Sequence, residues 1–219
     1  MSTAPTSEAE LLARVHAIAG LRLGELAEMF DFPAPGAARH AKGWMGELIE
    51  TALGADAGKR PLPDFTGLGI ELKTVPINTR GIPQESTYVC RAPSNVLPEM
   101  HWSTALVRLK LARVLWLPLE AATEPVITQR RIGWGMLWSP TPVQSAVLQA
   151  DWEELMELLA LGRRAEINAR LGNVLQLRPK GADASSRDPA TDETGAPSRM
   201  PPQGFYLRAR FTREILERS

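Results

Sequence analysis

The chain has 219 residues, with 25 basic and 25 acidic side chains and so no net charge. That length allows one domain with a substantial core, and the charge balance argues against a protein that simply coats nucleic acid. No apolar run approaches the roughly 18 residues of a membrane-spanning helix, a lone Cys90 forms no internal disulfide, and the opening MSTAPTSEAE lacks a secretory pattern. The cytoplasm is therefore the expected compartment and no membrane is involved.

Taken in order, SEAELLARVHAIAG has Ser7 and Glu10 at capping-box spacing, an apolar stripe through Leu11, Val15 and Ile18, and a stop at Gly20. A short helix over LGELAEMF follows. AKGWMGELIETALG is a third helix, with Met45, Leu48, Ile49, Ala52 and Leu53 at helical spacing and Glu50 at the edge of that stripe. GIELKTV alternates as a strand, placing Glu71 and Lys73 on one side, and ESTYVCRAP reads as its partner strand. ALVRLKLARVLWLPLE is ambiguous at its start and strand-like from Val114 to Leu117, and RRIGWGMLWSP is a further extended segment. Thr141, Pro142 and Gln144 start a helix that can run to Gly162. RRAEINARLG reads as a helix, VLQLRPK and GFYLRAR as strands, and FTREILERS as a closing helix. Residues 181–202 hold no aromatic and read as a flexible surface loop. Together these make a mixed α/β domain.

Charge is not spread evenly. From Arg163 to Ser219 there are 11 basic and 7 acidic residues, which leaves the earlier part acidic. In that earlier part stands DFTGLGIELK, an acid, a glycine-rich turn, then an acid and a lysine two residues apart. Cutting a phosphodiester needs an activated water and stabilised oxygen charge, and a divalent metal supplies both. Magnesium takes hard oxygen ligands, usually one or two carboxylates plus waters. Asp64 and Glu71 meet that need, Lys73 would sit beside the attacking water, and Glu50 is a candidate third carboxylate. Glycines 67 and 69 would let the chain turn Asp64 back toward the strand. Taken alone, the spacing equally suits a polar strand face with an ion pair. The cations of RLKLAR (Arg108, Lys110, Arg113) equally suit a solvated surface. Three histidines and one cysteine give no zinc-site spacing, no phosphate-binding glycine loop is present, and the tryptophans Trp44, Trp116, Trp138 and Trp152 read as core.

Six blocks extend the pattern far beyond three residues. KGWMGELIETALGADAGKRPLPDFTGLGIELKTVPI, VRLKLARVLWLPLE, QRRIGWGMLWSP, DWEELMELLALG, LQLRPK and GFYLRARFT occur in order and are spread from Lys42 to Thr212, over most of the chain. Together they resemble the MutH family of DNA mismatch-repair endonucleases. The resemblance implies an α/β fold like that of type II restriction endonucleases, a mixed sheet flanked by helices, in two lobes forming a DNA-binding cleft. On that reading residues 1–219 are one endonuclease domain. Its catalytic lobe lies mainly within 20–140 and its recognition lobe mainly within 141–219, the latter containing the 181–202 loop.

The same resemblance implies magnesium-dependent nicking of the unmethylated strand at hemimethylated GATC sites. The activator would be MutL, with MutS acting indirectly, and the enzyme would be monomeric on double-stranded DNA. It makes Glu50, Asp64, Glu71, Lys73 and Lys110 catalytic, and gives the metal Asp64, Glu71 and the backbone carbonyl of Leu72. Lys42 would lie near the DNA, and Arg178 and Pro179 would read the bases. Tyr206 would contact the adenine whose methylation is sensed. From the residues alone, Arg178 reads as a surface charge and Tyr206 as a core aromatic. Two alternatives stay open: a GATC restriction endonuclease of the same fold, and a non-enzymatic adaptor.

Overall fold

The computed structural model describes residues 3–34, 41–120, 126–168, 170–180, 187–191, 194 and 196–217, with only the backbone at 41, 42, 190 and 191. The chain divides into two units. The first comprises residues up to Glu85, Ala112–Ser139 and the segment from Ile215; the second comprises Ser86–Leu111 and Pro140–Glu214.

The first unit begins with α1 (Glu8–Ile18), where the Ser7 side chain accepts the Glu10 N–H. The Glu10 carboxylate then reaches the Thr6 N–H at 2.8 Å, so the cap extends one residue further back than a capping box. Helices α2 (Leu23–Met29) and α3 (Ala41–Leu53) follow. Arg14 joins α1 to the end of α3 by donating to the Leu53 carbonyl at 2.9 Å. The sheet holds β1 (Glu71–Ile77), β3 (Val114–Glu120) and β4 (Met136–Trp138) in the order β1-β3-β4, with β1 parallel and β4 antiparallel to β3. Leu115, Leu117 and Leu119 of β3 pack with Leu48, Ile49 and Leu53 of α3 and Leu11 and Val15 of α1 in one core. Each such fully buried aliphatic side chain contributes about 1.5–3 kcal/mol.

The second unit is built on the antiparallel sheet β2-β8-β5, from β2 (Thr87–Arg91), β5 (Leu175–Pro179) and β8 (Gln203–Leu207). Helix α4 (Leu106–Leu111) packs on β2 and α5 (Pro142–Ala160) on β5. Thr141 and Gln144 form the expected capping box at the head of α5, with proline in its first turn. The closing helix α6 (Ala209–Glu217) is tied to β2 by a 3.2 Å bond between the buried hydroxyls of Thr87 and Thr212.

Three expectations are corrected. The strand containing Thr87–Arg91 does not pair with β1. After a turn at Asn78–Gly81 the chain folds back on β1 only briefly, with Ile77 bridging Pro83 and Gln84 donating to the Pro76 carbonyl; β2 then pairs with β8. Among the described residues of 163–172, the regular structure is a 3-10 turn at Arg164–Glu166. Here Asn168 donates to the Glu166 carbonyl and accepts the Arg170 N–H, a local bonding pattern that competes with a helix. Within 181–202, read as a loop, β6 (Asp188–Thr191) and β7 (Pro197–Met200) pair as an antiparallel hairpin, and Asp188 forms an ion pair with Arg91 of β2. Of the same segment, residues 181–186, 192, 193 and 195 lie outside the described residues. Among the described residues no helix is long and apolar enough to cross a membrane.

Candidate active site

The site starts from a tight hairpin. Phe65 and Ile70 form an antiparallel bridge, with Phe65 donating to the Ile70 carbonyl at 2.9 Å and Ile70 returning a bond at 3.3 Å. Both side chains are buried, at 1% and 0% exposure. The turn between them needs one left-handed residue, supplied by Gly69 at φ +66°. Gly67 carries no such conformation, so only one of the two glycines is required by the backbone. The residues flanking the bridged pair are Asp64 and Glu71, so closing the hairpin brings the two acids across from each other.

Asp64 is then fixed by the backbone around it. Its carboxylate accepts the Leu72 N–H at 2.8 Å, and its carbonyl accepts the N–H groups of Asp56 and Ala57. Strand β1 lies at the edge of its sheet. Within a strand, the N–H and C=O of one residue project to the same side. The Leu72 carbonyl therefore leaves β1 on the side where Asp64 lies, away from β3.

Glu71 is 2% exposed, and its N–H is held by the Arg113 carbonyl at 3.0 Å. Lys73, two residues on and on the same face, donates from Nζ to Glu71 Oε1 at 2.5 Å. Half-buried Glu50 lies on the last turn of α3. Burial, then the neighbouring carboxylates of Asp64, Glu71 and Glu47, push its carboxyl above the ordinary value of 4.5, while Lys73 pulls the other way. Four of the expected residues, Glu50, Asp64, Glu71 and Lys73, are thus electrostatically joined within the first unit.

The donor set suits a hard cation. Two carboxylates and a backbone carbonyl leave room for the waters that magnesium keeps. Among the described residues no three His, Cys, Asp or Glu side chains form a ready-made metal cage, and a site of this kind does not need one.

The other expected residues fall elsewhere. Lys42 is at the start of α3, and its side chain is outside the described residues. Lys110 is half-buried on α4 in the second unit. The remaining cations of its stretch are engaged: Arg113 binds both oxygens of Glu8, at 2.8 and 2.6 Å, and Arg108 donates to the Ser103 carbonyl. Arg178, Pro179 and Tyr206 are in the second unit, on β5 and β8.

There the Arg178 guanidinium lies 5.7 Å from the Tyr206 ring centre and donates to Ser86 at 2.7 Å. Tyr88 of β2 meets Tyr206 edge-on at 5.3 Å, and Lys180 donates to the Tyr88 hydroxyl at 2.5 Å. Sequence reading missed Tyr88 and Lys180 as members of this cationic and aromatic face. A correct β2–β8 pairing, which sets Tyr88 opposite Tyr206, would have revealed the first. Lys180 directly follows the Arg-Pro pair and was visible as such. Gly204 is required beside them, because a Cβ there would come within 2.7 Å of the Tyr88 ring.

A mixed sheet flanked by helices, with an acid and a lysine on an edge strand and a second acid delivered by the preceding hairpin, defines a restriction-endonuclease-like enzyme. Residues 53–151 match the family model described as "DNA mismatch repair enzyme MutH". DNA mismatch repair protein MutH of Vibrio cholerae is 48% identical over 218 residues, covering 100% of this chain and 99% of the relative. That of Shewanella amazonensis is 48% identical, covering 98% and 96%, and that of Actinobacillus pleuropneumoniae 48%, covering 99% and 96%. The chain belongs to the MutH family and is a DNA mismatch-repair endonuclease.

Proposed function

We propose that this enzyme nicks the unmethylated strand at hemimethylated GATC sites, that it depends on magnesium, and that MutL activates it after MutS has found a mismatch. The observation that carries the reading is the hairpin closure that sets Asp64 across from Glu71, with Lys73 paired to Glu71. In this reading Asp64, Glu71 and the carbonyl of Leu72 hold the metal. A bound magnesium ion supplies an activated water and neutralises charge on the phosphoryl and leaving oxygens.

The chain's own residues do the rest. Lys73, held as an ammonium by Glu71, orients the attacking water through Nζ and favours its deprotonated form by its charge. Glu50 adds a carboxylate beside the metal ligands. Lys110 supplies a further cation to the phosphate, and Lys42 lies near the DNA. Arg178 and Pro179 read base edges, since an arginine fork matches the two acceptors of guanine in the major groove. Tyr206 contacts the target adenine, where a methyl group on the amino nitrogen removes a hydrogen-bonding option and adds bulk. The first unit does the cutting and the second the reading. The enzyme works as a monomer in the cytoplasm.

The test is nicking of a hemimethylated GATC duplex beside fully methylated and unmethylated controls, with and without MutL and magnesium. Nicking confined to the unmethylated strand, lost without magnesium and stimulated by MutL, is expected. Equal cutting of the hemimethylated and fully methylated duplexes would overturn the methylation reading. Undiminished cutting in a chelator would overturn the metal reading.

A further inference from the structure

We propose that Asp151 is a positioning residue for base recognition: its buried carboxylate fixes the turn that launches β5, and so sets where Arg178 and Pro179 stand. The inference rests on the base-reading role proposed above for those two residues. Asp151 is on α5 and 1% exposed. Its Oδ1 accepts the Asn173 N–H at 2.7 Å and the Asn173 side-chain amide at 3.1 Å. Its Oδ2 accepts the Val174 N–H at 2.7 Å and the Leu175 N–H at 2.8 Å. Three consecutive backbone amides thus converge on one side chain. Only a carboxylate offers two acceptor oxygens to four donors, because an asparagine would turn an NH2 group on two of them.

The carbonyl side of the same turn is held as firmly. Arg208 donates to the Leu171 carbonyl at 2.8 Å and the Gly172 carbonyl at 3.1 Å, and Arg210 donates to the Asn173 carbonyl at 2.6 Å. Gly172 is left-handed at φ +72°, and a Cβ there would lie 1.9 Å from the Leu175 carbonyl oxygen. The turn therefore has one geometry. Beyond it Leu175, Gln176 and Leu177 are buried in pairing with β8, and Arg178 and Pro179 emerge exposed at the far end. A short buried strand, clamped at its root, carries the orientation of the root to its tip. A buried carboxylate is costly to keep for stability alone. Here it buys a single placement of the two residues that face the bases.

The experiment is a ratio. Nicking by the full chain is measured on an intact hemimethylated GATC duplex and on duplexes altered at one base pair of the site. The wild type is expected to prefer the intact site by about tenfold or more per altered pair. Asp151→Asn is expected to lower that preference at least about fivefold. A loss of folded protein scales both rates together and leaves the ratio untouched, so a merely structural role predicts no change. Should Asp151→Asn fail to fold, Asn173→Asp serves, since Asn173 is exposed and the change sets a like charge against the Asp151 carboxylate. A smaller fall in the same ratio is expected there. An unchanged ratio in a folded variant overturns the inference and leaves the base-reading assignment standing. A wild type with no preference for the intact site overturns both.

Discussion

At the residue scale, Glu71 and Lys73 share one problem and one solution. Their side chains are 2% and 11% exposed, so each charge depends on the other. Removing one partner of a buried pair costs about 3–5 kcal/mol, because the remaining charge is left uncompensated. Lys73→Met is therefore expected to destabilise the protein by about 3 kcal/mol in urea unfolding, and the double change Glu71→Gln with Lys73→Met by clearly less. Equal losses for single and double variants would mean that the pair is not coupled. Glu71→Ala is expected to lower nicking by more than about a hundredfold while DNA binding, followed by gel shift, survives. Glu50 behaves in the opposite sense. Burial and three neighbouring acids raise its carboxyl, so the folded state holds this proton more tightly than the unfolded chain does. Its contribution to stability is full below the ordinary value of 4.5 and is lost as pH rises through the raised folded value. Glu50→Gln, which cannot ionise, is expected to unfold at a higher temperature than wild type at about pH 8, with the advantage gone near pH 4. A difference independent of pH would dismiss ionisation as the cause.

At the element scale, the hairpin from Phe65 to Ile70 decides whether the two acids meet. Gly69 is left-handed and has open space around it, so Gly69→Ala carries only a backbone cost, of about 1–2 kcal/mol. Gly67 is neither left-handed nor crowded, and Gly67→Ala is expected to be neutral or to stabilise by up to about 1 kcal/mol. Chemical denaturation separates the two, and equal effects would undo the account of the turn. What was legible in the sequence follows the same division between local and distant. The Thr141 capping box, the shared face of Glu71 and Lys73 and the edge position of Glu50 all depend on residues within a few positions and stand as read, and Ser7 caps α1 as read although Glu10 returns its bond to Thr6. The parallel pairing of Glu71 with Val114 spans a long crossover, and the pairing of Tyr88 with Tyr206 spans more than half the chain. Local periodicity carries no information about either, so the sequence pattern points β2 to β1 instead of β8 and gives no sign of Tyr88. The hairpin of β6 and β7 was hidden for another reason. Its strands are short and hold two prolines and two charges, a composition that reads as loop.

At the scale of the whole molecule, net charge is a poor guide to DNA affinity. The chain sums to zero, yet Arg163–Ser219 is basic and the remainder acidic. Counterions are released from the phosphates that are contacted, not in proportion to the total charge of the protein. Affinity for a GATC duplex, measured in calcium to prevent cutting, is therefore expected to fall steeply with salt. For about six phosphate contacts the loss is about a thousandfold between roughly 50 and 200 mM. A salt-independent affinity would remove the phosphate-gripping surface from the reading. The sequence also carries a single acid, acid and lysine set, so on the proposed reading one chain is expected to cut one strand at a time. On unmethylated supercoiled plasmid, open circles are expected to accumulate before any linear form, and the linear form to appear only as independent second nicks. Linear product rising from the first turnover, at enzyme below the DNA concentration, would mean that two cutting centres act together and would favour the restriction-endonuclease alternative.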